Sequence, residues 1–94
     1  MNKCLKITFS QQKIPVNFLR SFVQKNAQKF NIEGAAQLIA PDKKIRIIAC
    51  GQKKEVDSFI DILHTKFIEL AIRDTSIEPY IKDKNYRNVF RIID

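Results

Sequence analysis

The feature that most constrains this chain is a change of hydrophobic period, from two to nearly four, that happens twice. From Cys4 to Phe9 the residues alternate, with Leu5, Ile7 and Phe9 on one side and Cys4, Lys6 and Thr8 on the other, as in a strand with one buried face. After a polar stretch, Leu19, Phe22, Val23, Ala27 and Phe30 recur at three- and four-residue spacing, which predicts an amphipathic helix from about Asn17 to Lys29 or Phe30. Asn17 suits the N-cap, because its side-chain oxygen can accept from the first-turn N–H groups, and Asn31 suits the end. Glu33 to Ala40 and Lys44 to Cys50 then read as two strands joined by turn chemistry at Pro41, Asp42 and Lys43. Gly51 is expected to break the second of these. A further apolar stripe of Val56, Phe59, Ile60, Leu63 and Phe67 predicts a second helix from about Lys53 to Phe67. Beyond it, Ala71 to Pro79 suggests a strand through Ile72, Thr75 and Ile77. A polar loop covers Lys82 to Asn88, and Val89 to Ile93 reads as the last strand.

The order is therefore β-α-β-β-α-β with one extra strand. Each strand-helix-strand unit should cross over right-handed, which gives an antiparallel sheet with two helices on one face, a ferredoxin-like α+β sandwich. With 94 residues, 45% of them hydrophobic, residues 1–94 suffice for one domain and one core.

No apolar run approaches the length of a membrane span, and Met1-Asn2-Lys3 leads directly into the first strand pattern, so a cytoplasmic location is expected, with no membrane partner. Lysine and arginine number 17 against 10 acidic residues, a formal charge of +7 that favours anionic partners. Two cysteines, Cys4 and Cys50, are too few for a disulfide framework or a zinc site, and two reduced thiols are expected. Both nevertheless fall on the polar side of strands that this fold places side by side, near the same end, so a bond between them is the alternative. His64 has no partners at metal-ligand spacing and reads as a boundary histidine. No metal or cofactor is expected.

The segment from Gln11 to Arg20 lies where a strand gives way to a helix. A loop of this kind aims backbone N–H groups, with the Arg20 guanidinium, at one point, and so makes a candidate anion site. A positive charge in a helix's first turn is unfavourable against the macrodipole, which adds weight to a binding role for Arg20.

Several stretches together resemble the acylphosphatase family, small ferredoxin-like enzymes that hydrolyse carboxyl-phosphate bonds without metal or cofactor. The most specific runs from Gly51 through Gln-Lys-Lys-Glu-Val-Asp-Ser-Phe-Ile-Asp-Ile-Leu to Leu63, similar to the glycine and helix that follow the family's third strand. The spacing from Arg20 to Ala27, Phe30 and Gly34 and the sequence Phe90-Arg91-Ile92 are also similar. In that family a loop of the type Gly-x-Val-Gln-Gly-Val-x-Phe-Arg holds a phosphate, and an asparagine on the second strand orients the attacking water. The resemblance places Arg20 as the phosphate anchor, Lys13, Ile14, Val16 and Asn17 in the substrate loop, and Leu38 at the water-orienting position, four beyond Gly34. Shifting the register by one, so that Val16-Asn17-Phe18 aligns with Val-x-Phe, puts Leu19 at the arginine instead. Arg20 is preferred because it requires no insertion inside the helix.

Against that pattern the loop has no glycine, Pro15 has no N–H to donate, and Leu38 cannot hydrogen-bond. Gln37 is adjacent, but strand alternation turns it to the opposite face. Loss of one transition-state partner costs on the order of a hundred- to a thousandfold in rate. The expectation is thus an acylphosphatase-like domain, a monomer, with a weak site for a small phosphorylated or carboxylate anion and slow or lost hydrolysis. The alternatives are a competent acylphosphatase, with Gln37 or Asn17 holding water, and a non-enzymatic module that binds protein or nucleic acid through the basic residues Lys43, Lys44, Arg46, Lys53 and Lys54. Nucleic acid is not favoured, because Lys6, Thr8, Arg46 and Ile48 stand where RNA binders of this fold carry stacking aromatics.

Overall fold

The computed structural model describes residues 2–12, 14–39, 43–81 and 86–93. Its elements are β1 (Asn2–Ser10), a helix α1 made of a π-helical part (Leu19–Gln24) and an α-helical part (Lys25–Lys29), β2 (Glu33–Ile39), β3 (Lys44–Gln52), α2 (Lys53–Glu69), β4 (Ser76–Pro79) and β5 (Phe90–Ile93). The strands form one sheet in the order β4-β1-β3-β2-β5. This is the ferredoxin-like sandwich that the two changes of period predict. One edge differs from a wholly antiparallel sheet: β5 runs parallel to β2, so the sheet is mixed.

The core lies between the sheet and both helices. Ile7 and Phe9 of β1, Ile45, Ile47 and Ala49 of β3, and Ala36 of β2 meet Val23 and Ala27 of α1 and Val56, Phe59, Leu63 and Phe67 of α2. Phe9 touches Phe67 at 4.6 Å between ring centroids and Phe18 edge-on at 6.5 Å, so the first strand is clamped by both helical segments. Gly34 allows β2 and β3 to approach closely: at φ +147° a Cβ there would lie 1.8 Å from the Ile48 carbonyl oxygen.

Both helices stop in the same way. After Phe30, Asn31 turns left-handed at φ 57°, its N–H donates to the Gln28 carbonyl, and the Ile32 N–H donates to that of Ala27. After Leu70, Ala71 does the same at φ 58°, with Ala71 donating to Ile68 and Ile72 to Phe67. These are Schellman stops.

Several boundaries differ from the sequence expectation. Asn17 is not the N-cap: Phe18 takes that position with helical dihedrals and no side-chain cap bond. Gly51 does not end β3, which continues to Gln52 by pairing with β1, Gly51 opposite Lys3. β4 begins only at Ser76, because Ala71 serves the end of α2 and Ile72 packs on the core instead of joining the sheet. His64 is exposed on α2. Cys4 and Cys50 are not free thiols. They are directly opposite in the β1–β3 register, their Cα atoms 4.1 Å apart, and they are joined in a disulfide. Side-by-side cross-strand positions bring two Cβ atoms within bonding reach. Pro41 and Asp42 of the expected turn, and Lys82 to Asn85 of the expected loop, lie outside the described residues. Among the described residues no helix is long and apolar enough to cross a membrane.

Candidate functional site

The junction between β1 and α1 faces the end of β2, and an open groove of about 300 Å³ lies between them. Its lining comes from the loop residues Gln11, Ile14, Pro15 and Val16, from Leu19 at the start of α1, and from the paired residues Leu38 of β2 and Ile45 of β3. Leu38 is turned to the helix side of the sheet, as its parity with Ala36 requires, and is half exposed there. Val16 projects fully into solvent. Apart from Gln11, every lining side chain is apolar.

Part of the loop's backbone is engaged with the protein itself. The Gln11 N–H donates to the Lys43 carbonyl at 3.0 Å, that of Gln12 to Ser10 Oγ at 3.3 Å, and that of Ile14 to the Gln11 carbonyl at 3.0 Å. Phe18 donates to the Pro15 carbonyl at 3.1 Å, and Pro15 has no N–H. Asn17 is exposed; its carbonyl accepts from both the backbone N–H of Ser21, at 2.8 Å, and Ser21 Oγ, at 2.7 Å. An anion held by backbone amides needs several donors converging on one point. Here the N–H groups of Gln11, Gln12, Ile14 and Phe18 have partners already.

Of the residues singled out from the sequence, the groove brings together Ile14, Val16 and Leu38. Lys13 lies outside the described residues. Arg20 is exposed on the π-helical turn, one residue beyond Leu19, and it is Leu19 that lines the groove opposite Leu38. A π-helical turn closes its hydrogen bonds over five residues instead of four and so takes up one residue more than an α turn. The helix is therefore compatible with the Leu19 register as well as with the Arg20 register. Gln37 faces away from the groove, where its side-chain oxygen accepts from the Arg46 guanidinium at 3.2 Å. Leu19 and Ile45 are the lining residues that sequence reasoning did not assign to the site. Leu19 was visible only as the alternative register, and the pairing of Ile45 with Leu38 followed from the hairpin.

The acylphosphatase family model matches residues 15–92. Among solved structures, an acylphosphatase from Coxiella burnetii is similar at 20% identity and a TM-score of 0.72, with 98% of this chain and 93% of that one covered. An acylphosphatase from Bacillus subtilis has a TM-score of 0.68 at 20% identity, with both chains covered completely. HypF from T. kodakarensis contains a similar region, at 19% identity and a TM-score of 0.71, which covers all of this chain and 12% of that one. No curated protein sequence matches significantly.

Proposed function

Because this chain belongs to the acylphosphatase family, whose model covers most of its length, we propose that it is an acylphosphatase-fold domain in which hydrolysis of acyl phosphates is slow or lost. A single observation carries the reading: Leu19 and Leu38 both line the groove, and the N–H groups of Gln11, Gln12, Ile14 and Phe18 donate to the protein's own oxygens. Hydrolysis in water needs a group that stabilises charge on the phosphoryl oxygens and a group that orients the nucleophile. Two leucines supply neither. Gln37, the one amide beside Leu38, is on the other side of the sheet with Arg46.

Residual attraction for a small phosphate or carboxylate then comes from the chain's positive field, to which the exposed Arg20 contributes. Such attraction is weak and salt-dependent, since the charge sits in solvent. In this reading the domain works as a cytoplasmic monomer. The test is hydrolysis of a small acyl phosphate by the wild-type chain and by Arg20→Ala. We expect turnover close to the uncatalysed rate in both. Turnover at ordinary enzyme rates, collapsing in Arg20→Ala, would establish a competent enzyme in which Arg20 reaches the phosphate.

A further inference from the structure

The sheet face turned away from the helices has its own small core, independent of the loop groove. Ala35, Ile48, Cys50 and Tyr86 are buried there, with Cys4, Tyr80 and Ile93 packed around them. Ala35 sits between Ile48 of β3 and Arg91 of β5 in the strand register, and its methyl group leaves a depression in an otherwise filled row. Tyr80 and Tyr86, from either end of the β4–β5 connection, raise walls around that depression. The result is a pocket of about 120 Å³, open on one side, with Arg46 and Gln37 at its polar end and Ile93 at its edge.

We propose that this pocket binds a small organic carboxylate, with the carboxylate on Arg46 and the apolar body over Ala35 and Ile48 between the two tyrosines. Arg46 sets the chemistry. Among the described residues no carboxylate pairs with it; its recorded partner is the neutral Gln37 side chain, whose oxygen takes one guanidinium N–H at 3.2 Å. That bond holds the guanidinium beside the pocket, and among the described residues it takes one of the five donors. A planar fork with one cation matches the two oxygens of a carboxylate. Arg91, opposite Ala35 on the same face, adds positive potential without lining the pocket. The pocket is open on one side, so a ligand larger than its volume of about 120 Å³ can seat its carboxylate there and leave the rest of its body at the mouth. Ala35 and Ile48 close the bottom, while most of the exposed lining is polar, so the carboxylate end carries the binding.

The test is a titration of the isotope-labelled chain with benzoate, acetate and inorganic phosphate, followed by amide chemical shifts. Benzoate should give saturable shifts at Ala35, Arg46 and Ile48, with a dissociation constant in the millimolar range and tighter than acetate. Arg46→Gln should weaken it at least about tenfold, and Arg46→Lys, which keeps the charge and loses the fork, should recover only part of that loss. Shifts confined to the Gln11–Arg20 loop would overturn the proposal, as would unchanged affinity in Arg46→Gln. Phosphate binding as tightly as benzoate would overturn the assignment to a carboxylate.

Discussion

The two helices cover the same sheet face, yet they leave the sheet in opposite ways. α2 starts at Lys53, the residue after β3 ends, and runs regularly to Glu69 with Val56, Phe59, Leu63 and Phe67 buried along one stripe. α1 is reached only after a loop, opens with a π-helical stretch, and keeps just five α-helical residues, Lys25–Lys29. A helix that begins where a strand ends has no freedom in its register. One that follows a loop and a π turn can absorb an extra residue without disturbing the core beneath it, where Val23 and Ala27 stay fully buried. The family resemblance is accordingly most specific along α2 and least specific at the entrance to α1, where the family's chemistry would sit.

That contrast can be broken by substitution. Phe59→Ala, in the stripe of α2, should cost about 3–5 kcal/mol in chemical denaturation, whereas Val16→Ser, at the loop before α1, should stay within about 0.5 kcal/mol. Equal losses would mean that the loop is part of the scaffold. The Cys4–Cys50 bond spans 46 residues and encloses all of α1. Replacing both cysteines with alanine should lower stability by about 2–4 kcal/mol under non-reducing conditions, and reductant should reproduce most of that loss in the wild type.

The helix ends allow a finer comparison. Ala71 holds φ 58° with a methyl side chain, at a cost that asparagine and glycine largely avoid. Ala71→Gly should therefore stabilise the chain by about 1 kcal/mol, and Asn31→Gly, at the matching position of α1, by clearly less. The smallest effect should belong to Asp57, on the first turns of α2. Hydrogen bonds from Lys3, at 2.6 Å, and Lys53, at 3.1 Å, hold its carboxyl below the ordinary value of 3.8. A lowered folded-state value means that this stabilisation is present above pH 3.8 and is lost as the pH falls through the folded value. Asp57→Asn should thus be slightly less stable than wild type at neutral pH and converge with it in stronger acid. A constant difference at all pH values would mean that the ion pairs contribute nothing.

What the sequence reveals and what it hides follows the same division. Ile7 and Phe9, alternating in β1, and the four apolar residues of α2 are buried as their spacing requires, because a period fixes a face once the element exists. The π turn leaves no such trace: Leu19, Phe22, Val23 and Ala27 satisfy a helical period whether or not one residue is taken up among them. Gly51 reads as a breaker because its pairing with Lys3 is invisible without β1 beside it. Tyr86 sits in the stretch that reads as a polar loop and Tyr80 just before it, and only the path of the chain over the sheet shows that they pack with Ile48 and Ala35. At the candidate site, Leu38 and the missing glycines were legible from spacing. The π turn, which has Leu19 line the groove with Arg20 exposed beside it, was not.

The lengths of the strands carry one more consequence. The two innermost partners, β1 and β3, have nine residues each, while the edges, β4 and β5, have four. β4 ends at Pro79, which offers no N–H along its open side. An edge this short gives an incoming strand from another molecule few groups to pair with, so the sheet's long hydrogen-bonded rows are kept away from intermolecular addition. Along the β4 edge, the short strand thus guards the long ones behind it.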